Sequence, residues 1–122
     1  MKSILIVDDE SEITTPLKIG LESYGYSVAV SNRPRDVLSS FKPGMYDLTI
    51  IDIRMPEMSG FELYRELRKR DSRAIIWFLT AFDIRAREFE KMFPDVDVDL
   101  VVRKPIAISE LAKKIERLDK LD

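Results

Sequence analysis

The chain has 122 residues, 45% hydrophobic and 34% charged, with four glycines and six prolines, which excludes disorder and collagen-like sequence and predicts one globular domain over residues 1–122. Twenty Lys and Arg against 22 Asp and Glu give a formal charge of −2, so nothing points to direct nucleic-acid binding. Histidine and cysteine are both absent, and with them go disulfides, thiolate zinc sites, Cys or His nucleophiles and every step that needs an imidazole. Any metal must be held by oxygen, which favours Mg²⁺, Ca²⁺ or Mn²⁺. The longest apolar run, Ala74 to Leu79, is too short to span a bilayer. Met1 leads into an apolar stretch without a basic n-region or a cleavage site. The expectation is a cytoplasmic protein with no membrane insertion.

Apolar runs and helix-like segments alternate along the chain. Ser3 to Val7 is short, β-branched and almost wholly apolar, as a strand buried on both faces should be. A helix follows and ends near Tyr24-Gly25; Asp9 with Glu12 three residues on, or Thr15-Pro16, supplies its start. Ser27 to Val30 reads as the second strand, and Pro34 to Phe41 as a short helix closed by Lys42-Pro43-Gly44. Leu48 to Ile51 is the third strand, and Phe61 to Arg70 a helix with Phe61, Leu63, Tyr64 and Leu67 inward. Ala74 to Leu79 is the fourth strand, and Ile84 to Phe93 a helix stopped by Pro94. Val98 to Val102 forms the fifth strand, and a last helix from about Ala107 keeps Ile108, Leu111, Ala112, Ile115 and Leu118 on one face.

Five βα units in so short a chain predict an α/β fold: a parallel sheet covered by helices on both sides. Right-handed crossovers then favour a doubly wound, flavodoxin-like sheet in the order 2-1-3-4-5. Function in such folds sits at the carboxyl ends of the strands, beside the switch point between strands one and three. Strand one ends in Asp8-Asp9-Glu10 and strand three runs into Asp52; strand four ends in Thr80 and strand five in Arg103-Lys104-Pro105. Strand two, ending in Ser31-Asn32, contributes nothing obvious. Carboxylates gathered at one edge repel one another until a cation neutralises them. Mg²⁺ suits them, because it takes one or two carboxylates and bridges to phosphate oxygens. Lys104 adds a second positive charge and Thr80 a hydroxyl donor. A central carboxylate there can attack phosphorus and become an acyl phosphate, and Asp52 is the best placed to do so.

Taken singly, each feature has a plainer explanation. The acidic triplet would favour the positive end of the next helix, Asp52 would sit in a loop, Thr80 would cap a helix and Lys104-Pro105 would form a turn. Taken in order, Asp8-Asp9, Asp52 with Met55-Pro56 and Gly60, Thr80-Ala81 and Lys104-Pro105 resemble the receiver domain of two-component response regulators, the CheY-like family. By that resemblance Asp52 is the phospho-acceptor. Asp9 and Asp52 would hold Mg²⁺ (or Mn²⁺) directly, Asp8 through water, and the Arg54 backbone carbonyl would add a further ligand. Lys104 would pair with the phosphoryl group and Thr80 would move to bond it. Met55, Pro56, Gly60 and Pro105 would shape the turns that aim the site. The donor implied is a phosphohistidine on a sensor histidine kinase or a phosphotransfer protein. The output would be a domain or partner protein docking on the face of the fourth helix, fifth strand and fifth helix, or a homodimer. The chain would catalyse only its own phosphorylation and dephosphorylation.

Two features depart from the family pattern. The aromatic residue expected three places before the lysine is Val101, with Phe82 a candidate to take over its role. The span from Thr80 to Lys104 is slightly long and contains Pro94-Asp-Val-Asp-Val-Asp99. Asp95, Asp97 and Asp99 mimic the opening of a calcium loop, but Leu100 stands for its glycine and Ile106 for its closing glutamate. Alternative readings are an interaction module of the same fold without phospho-switching and a Mg²⁺-dependent aspartyl-phosphate phosphatase, whose Asp-x-Asp arrangement is missing. With the sequence ending at Asp122 after the last helix, no output domain is expected in this chain, which would be a stand-alone receiver or one excised from a longer protein.

Overall fold

The computed structural model describes residues 3–81 and 100–121. Five strands, β1 (Ser3–Val7), β2 (Ser27–Ser31), β3 (Leu48–Asp52), β4 (Ile76–Thr80) and β5 (Leu100–Arg103), form one parallel sheet in the order β2-β1-β3-β4-β5. Four helices accompany them among the described residues: α1 (Ser11–Ser23), α2 (Pro34–Ser40), α3 (Gly60–Arg70) and the C-terminal α4 (Ile108–Leu121). The expected helix Ile84 to Phe93, its stop at Pro94, Phe82 and the Asp95–Asp99 stretch lie outside the described residues.

Alternation along the strands builds two cores. Leu5, Val7, Ile51 and Phe78 face α2 and α3, where they meet Val37, Phe61, Leu63 and Leu67. Their neighbours Ile4, Ile6, Ile50, Trp77 and Leu79 face α1 and α4 and pack on Leu17, Leu21, Leu111 and Ile115. Central strands with both faces covered are nearly continuous apolar runs, and β1, β3 and β4 follow this except at Ser3, at the buried Thr49 and at Asp52 and Thr80 on the carboxyl edge.

Most element boundaries shift by one or two residues for local reasons. Neither expected start of α1 is used. Asp8 Oδ1 accepts the Glu10 N–H at 3.0 Å, Glu10 rather than Asp9 takes the N-cap position, and the helix begins at Ser11 without a side-chain cap. Pro16 therefore lies inside α1 rather than at its first turn. Helix α2 ends at Ser40, because Phe41 turns its backbone into an extended conformation while its N–H still reaches the Val37 carbonyl. In α3 the Ser59 Oγ accepts the Glu62 N–H at 3.2 Å, so the helix opens at Gly60, one residue earlier than expected. Strand β4 starts at Ile76 instead of Ala74, whose carbonyl is taken by Arg68 Nη1 at 2.6 Å, and it runs one residue further, to Thr80. Strand β5 ends at Arg103 rather than Val102, because the Lys104 N–H pairs with the Thr80 carbonyl at 2.6 Å.

All five strands point their carboxyl ends to one edge. The Val7↔Ile51 and Asp52↔Leu79 registers set Asp8, Asp52 and Thr80 side by side there. No helix among the described residues is long and apolar enough to cross a membrane.

Candidate functional site

The carboxyl edge gathers polar groups that a core would normally reject. Asp8 is 0% exposed, Asp52 5% and Thr80 2%, and each sits where the apolar register of its strand runs out. Buried charges persist only when paired, and Lys104 supplies the pairing. Its Nζ lies 2.7 Å from Asp8 Oδ2 and 3.1 Å from Asp52 Oδ1. The lysine reaches this position from the end of β5, across the ends of β4 and β3, and the Lys104–Pro105 peptide bond is cis.

One carboxylate oxygen from each of Asp8, Asp9 and Glu10 lies within 4.8 Å of the other two, with Asp9 half-buried and Glu10 exposed. A hard divalent cation fits such an all-oxygen set. Asp52 joins the cluster through the Lys104 ammonium it shares with Asp8. Asp8, expected to act at a distance through water, is thus the most buried member and the hub of the site.

These charges do not balance within the pocket. Burial first, and then the neighbouring Asp8 charge, push the Asp52 carboxyl up to about 6 against the opposing pull of Lys104. For Lys104, burial favours the neutral amine, but its hydrogen bonds to Asp8 and Asp52 outweigh that and hold it above the ordinary lysine value. One ammonium facing two buried carboxylates leaves Asp52 under-neutralised, the condition in which added positive charge is welcome.

The turn residues support this arrangement in different ways. A Cβ on Gly60 would strike the Asp52 carbonyl oxygen and come within 2.9 Å of Ile53 Cα, while the Gly60 N–H donates to the Ile53 carbonyl at 2.8 Å. Only glycine lets α3 start so close beneath the end of β3. Met55 is buried in the α2–α3 core, whereas Arg54, Pro56 and Pro105 are exposed. Val101 is partly buried beside the same core, opposite Phe78 in the ladder. Phe82 lies outside the described residues. Next to Lys104, an apolar cleft of about 510 Å³ opens between Ile13 and Pro16 of α1 and the stretch from Pro105 to Ile108 at the start of α4.

Three further residues meet the site: Glu10 and Asn32, which the strand ends show but give no role, and Thr14, which they do not show. Glu10 completes the carboxylate cluster, and its place in the Asp-Asp-Glu triplet was a signal explained instead by the helix dipole. Asn32 donates to the Asp8 carbonyl at 2.7 Å and to Thr14 Oγ1 at 3.1 Å. No local signal marks either Asn32 or Thr14, because their meeting depends on how β2 and α1 dock.

Residues 4–116 match the family model described as the response regulator receiver domain. Over 112 residues the chain is 37% identical to the transcriptional regulatory protein YkoG of Bacillus subtilis, covering 92% of this chain and 48% of that protein. It is 33% identical over 118 residues to the transcriptional regulatory protein PcoR of Escherichia coli, covering 97% of this chain and 51% of PcoR. The chain thus spans about half the length of these relatives. Among solved structures, the response regulator TrrA from Thermotoga maritima, in complex with Mg²⁺–BeF, is 36% identical with a TM-score of 0.81, over 97% of this chain and 99% of that one. The chemotaxis protein CheY4 of Vibrio cholerae superposes with a TM-score of 0.84 at 27% identity, over 96% of this chain and 98% of that one. Fold, strand order and family model agree, and the chain belongs to the receiver domains of two-component response regulators, a family that accepts a phosphoryl group on an aspartate.

Proposed function

We propose that Asp52 is the phospho-acceptor of a phosphorylation-operated switch and that residues 1–122 make up the whole receiver. The observation that carries this reading is the position of Asp52: buried at the end of the central strand β3, bonded to Lys104 at 3.1 Å and raised to about 6. A carboxylate so placed is ionised at neutral pH yet poorly neutralised, which favours an electrophile or a cation beside it. In the reaction an Asp52 carboxylate oxygen attacks phosphorus while the P–N bond of a donor phosphohistidine breaks. The imidazole leaves with the electron pair and takes up a proton, and Asp52 becomes an acyl phosphate. The donor is a sensor histidine kinase or a phosphotransfer protein, since this chain has no histidine of its own. The apolar cleft beside Lys104 offers that donor a surface within reach of the site.

Asp8, Asp9 and Asp52, with the Arg54 carbonyl, would hold Mg²⁺ or Mn²⁺, which supplies the positive charge that phosphoryl oxygens need. Lys104 turns its ammonium toward the phosphoryl oxygens, and the Thr80 hydroxyl donates to one of them. Both groups sit at strand ends, so the loops after β4 and β5 move inward with them. The shift favours a second arrangement of the face built by β5, α4 and the helix expected before them. That face docks an output domain or a separate partner protein, or pairs two receivers. The protein does this work in the cytoplasm and turns over no substrate besides its own acyl phosphate.

Incubation with Mg²⁺ and acetyl phosphate should add one phosphoryl group by intact mass, and chelation with EDTA should prevent it. No adduct on the wild type, or an undiminished adduct on Asp52→Asn, overturns the assignment. A second reading, an interaction module that binds its partner regardless of phosphorylation, rests on Val101 in the aromatic position. Partner affinity unchanged by a stoichiometric adduct would favour it.

A further inference from the structure

We propose that Asn32 is a positioning residue that fixes the acidic loop for cation binding; this rests on the reading that Asp8 and Asp9 hold the metal. The ladder between β1 and β2 ends at the Val7↔Ser31 pair, where β2 turns away toward α2. Beyond that point the Asp8 N–H still reaches the Ser31 carbonyl at 3.1 Å. The Asp8 carbonyl has no strand partner on that side and accepts instead from Asn32 Nδ2 at 2.7 Å. The same nitrogen donates its second hydrogen to Thr14 Oγ1 at 3.1 Å, and Thr14 is 1% exposed on the inner face of α1. One amide nitrogen thus joins the ends of β1 and β2 to α1.

The chemistry requires an amide at this place. The Asp8 carbonyl is an acceptor only, so the NH₂ must face it, and a carboxylate in its place would have no hydrogen to give. The clamp also differs in kind from the other bonds on Asp8. Its side-chain oxygens are held by the Glu10 N–H at 3.0 Å and by Lys104 Nζ at 2.7 Å, and the second of these competes with any incoming cation for the same carboxylate. The bond from Asn32 goes to the main chain. It survives that exchange and keeps Asp8 and Asp9 in place while the carboxylates change partners. Groups that orient metal ligands in this way are typically worth about 10- to 100-fold in affinity.

The test uses the full chain and Mg²⁺ alone as ligand, titrated by calorimetry. Asn32→Ala and Asn32→Leu should weaken Mg²⁺ about tenfold, and Thr14→Val, which leaves the amide one partner, should fall between them and wild type. Thr14→Ser keeps the oxygen and should bind as wild type does. With acetyl phosphate, the Asn32 variants should need more Mg²⁺ to reach half-maximal rate but match wild type at saturation. Amide exchange at Asp9 and Glu10 should accelerate in both Asn32 variants without Mg²⁺, while β3 and α3 keep their protection. Wild-type Mg²⁺ affinity in Asn32→Ala, or unchanged exchange at Asp9 and Glu10, overturns the proposal. Should the wild type bind no Mg²⁺, the functional reading falls, and the exchange data still decide whether Asn32 holds the loop.

Discussion

Replacing Asp52 by asparagine should stabilise the metal-free fold, and should do so only above acid pH. The Asp52 carboxyl rises from 3.8 to about 6 on folding, chiefly through burial and then through Asp8. Each unit corresponds to about 1.36 kcal/mol between the two protonation states, so the shift represents roughly 3 kcal/mol. The sign follows from proton binding. The folded protein holds this proton more tightly than the unfolded chain, so its contribution is fully stabilising below pH 3.8 and is lost as pH rises through about 6. At neutral pH the ionised Asp52 is a burden on the fold. Asparagine carries no charge at any pH, keeps nearly the same shape, and its Oδ1 still accepts from Lys104, whose second partner Asp8 stays at 2.7 Å. Thermal melts in EDTA at about pH 7.5 should therefore favour Asp52→Asn by about 3 kcal/mol, or roughly 10 °C for a chain of this size. The gap should shrink through about pH 6 and close near pH 4, and Mg²⁺ at neutral pH should narrow it by stabilising the wild type more than the variant. An equal or lower melting temperature for the variant at neutral pH would refute the reasoning. A gain of the same size at every pH would refute it too, since it would owe nothing to the charge.

Lys104→Met removes the only cation shown bonded to Asp8 and Asp52 among the described residues, and urea denaturation in EDTA should show a loss of about 3 kcal/mol, smaller when Mg²⁺ is added. Gly60→Ala drives a methyl group into the Asp52 carbonyl oxygen and toward Ile53 Cα at 2.9 Å. It should cost about 2–3 kcal/mol in the same assay and slow phosphorylation by acetyl phosphate, whereas a melt like that of wild type would show that the α3 start has room to move. Pro16→Ala restores an N–H inside α1 and should raise stability by about 1–3 kcal/mol; a destabilised variant would mean that the proline ring makes packing contacts worth more than the helix bond.

The order of strands and helices is legible because buried parallel strands are nearly continuous apolar runs, and few other segments of this chain are. Boundaries were less legible where a side chain takes a main-chain partner. Asp8 captures the Glu10 N–H and moves the start of α1, and Arg68 captures the Ala74 carbonyl and delays β4. The same division runs through the site. Asp8, Asp52, Thr80 and Lys104 could be read from sequence because each follows directly from the end of a strand. Glu10 was visible and given a lesser role. Asn32, set aside as the unremarkable end of an edge strand, sits against Asp8 only because β2 and α1 dock where they do. Trp77 points into the α1–α4 core with Leu17 and Ile115, so its fluorescence serves folding measurements better than it serves the carboxylates.

The double role of Lys104 links charge to movement in the proposed switch. The Lys104 ammonium is paired with both Asp8, at 2.7 Å, and Asp52, at 3.1 Å, so in the proposed switch a phosphoryl group on Asp52 would have to share it with Asp8. A dianion arriving there meets two buried carboxylates and a single lysine, an arrangement that repels it until positive charge is added. A cation held by Asp8 would supply that charge, and the lysine would then be free to turn toward the phosphoryl oxygens. Its main chain does not move alone, because the Lys104 N–H is bonded to the Thr80 carbonyl at 2.6 Å. The ends of β4 and β5 are therefore drawn together by one event. Val101, three residues back along β5, packs beside the α2–α3 core and has no ring to swing. In the proposed switch the signal would pass through the paired strand ends themselves, so Lys104→Met should uncouple partner binding from the adduct even where Asp52 is fully phosphorylated.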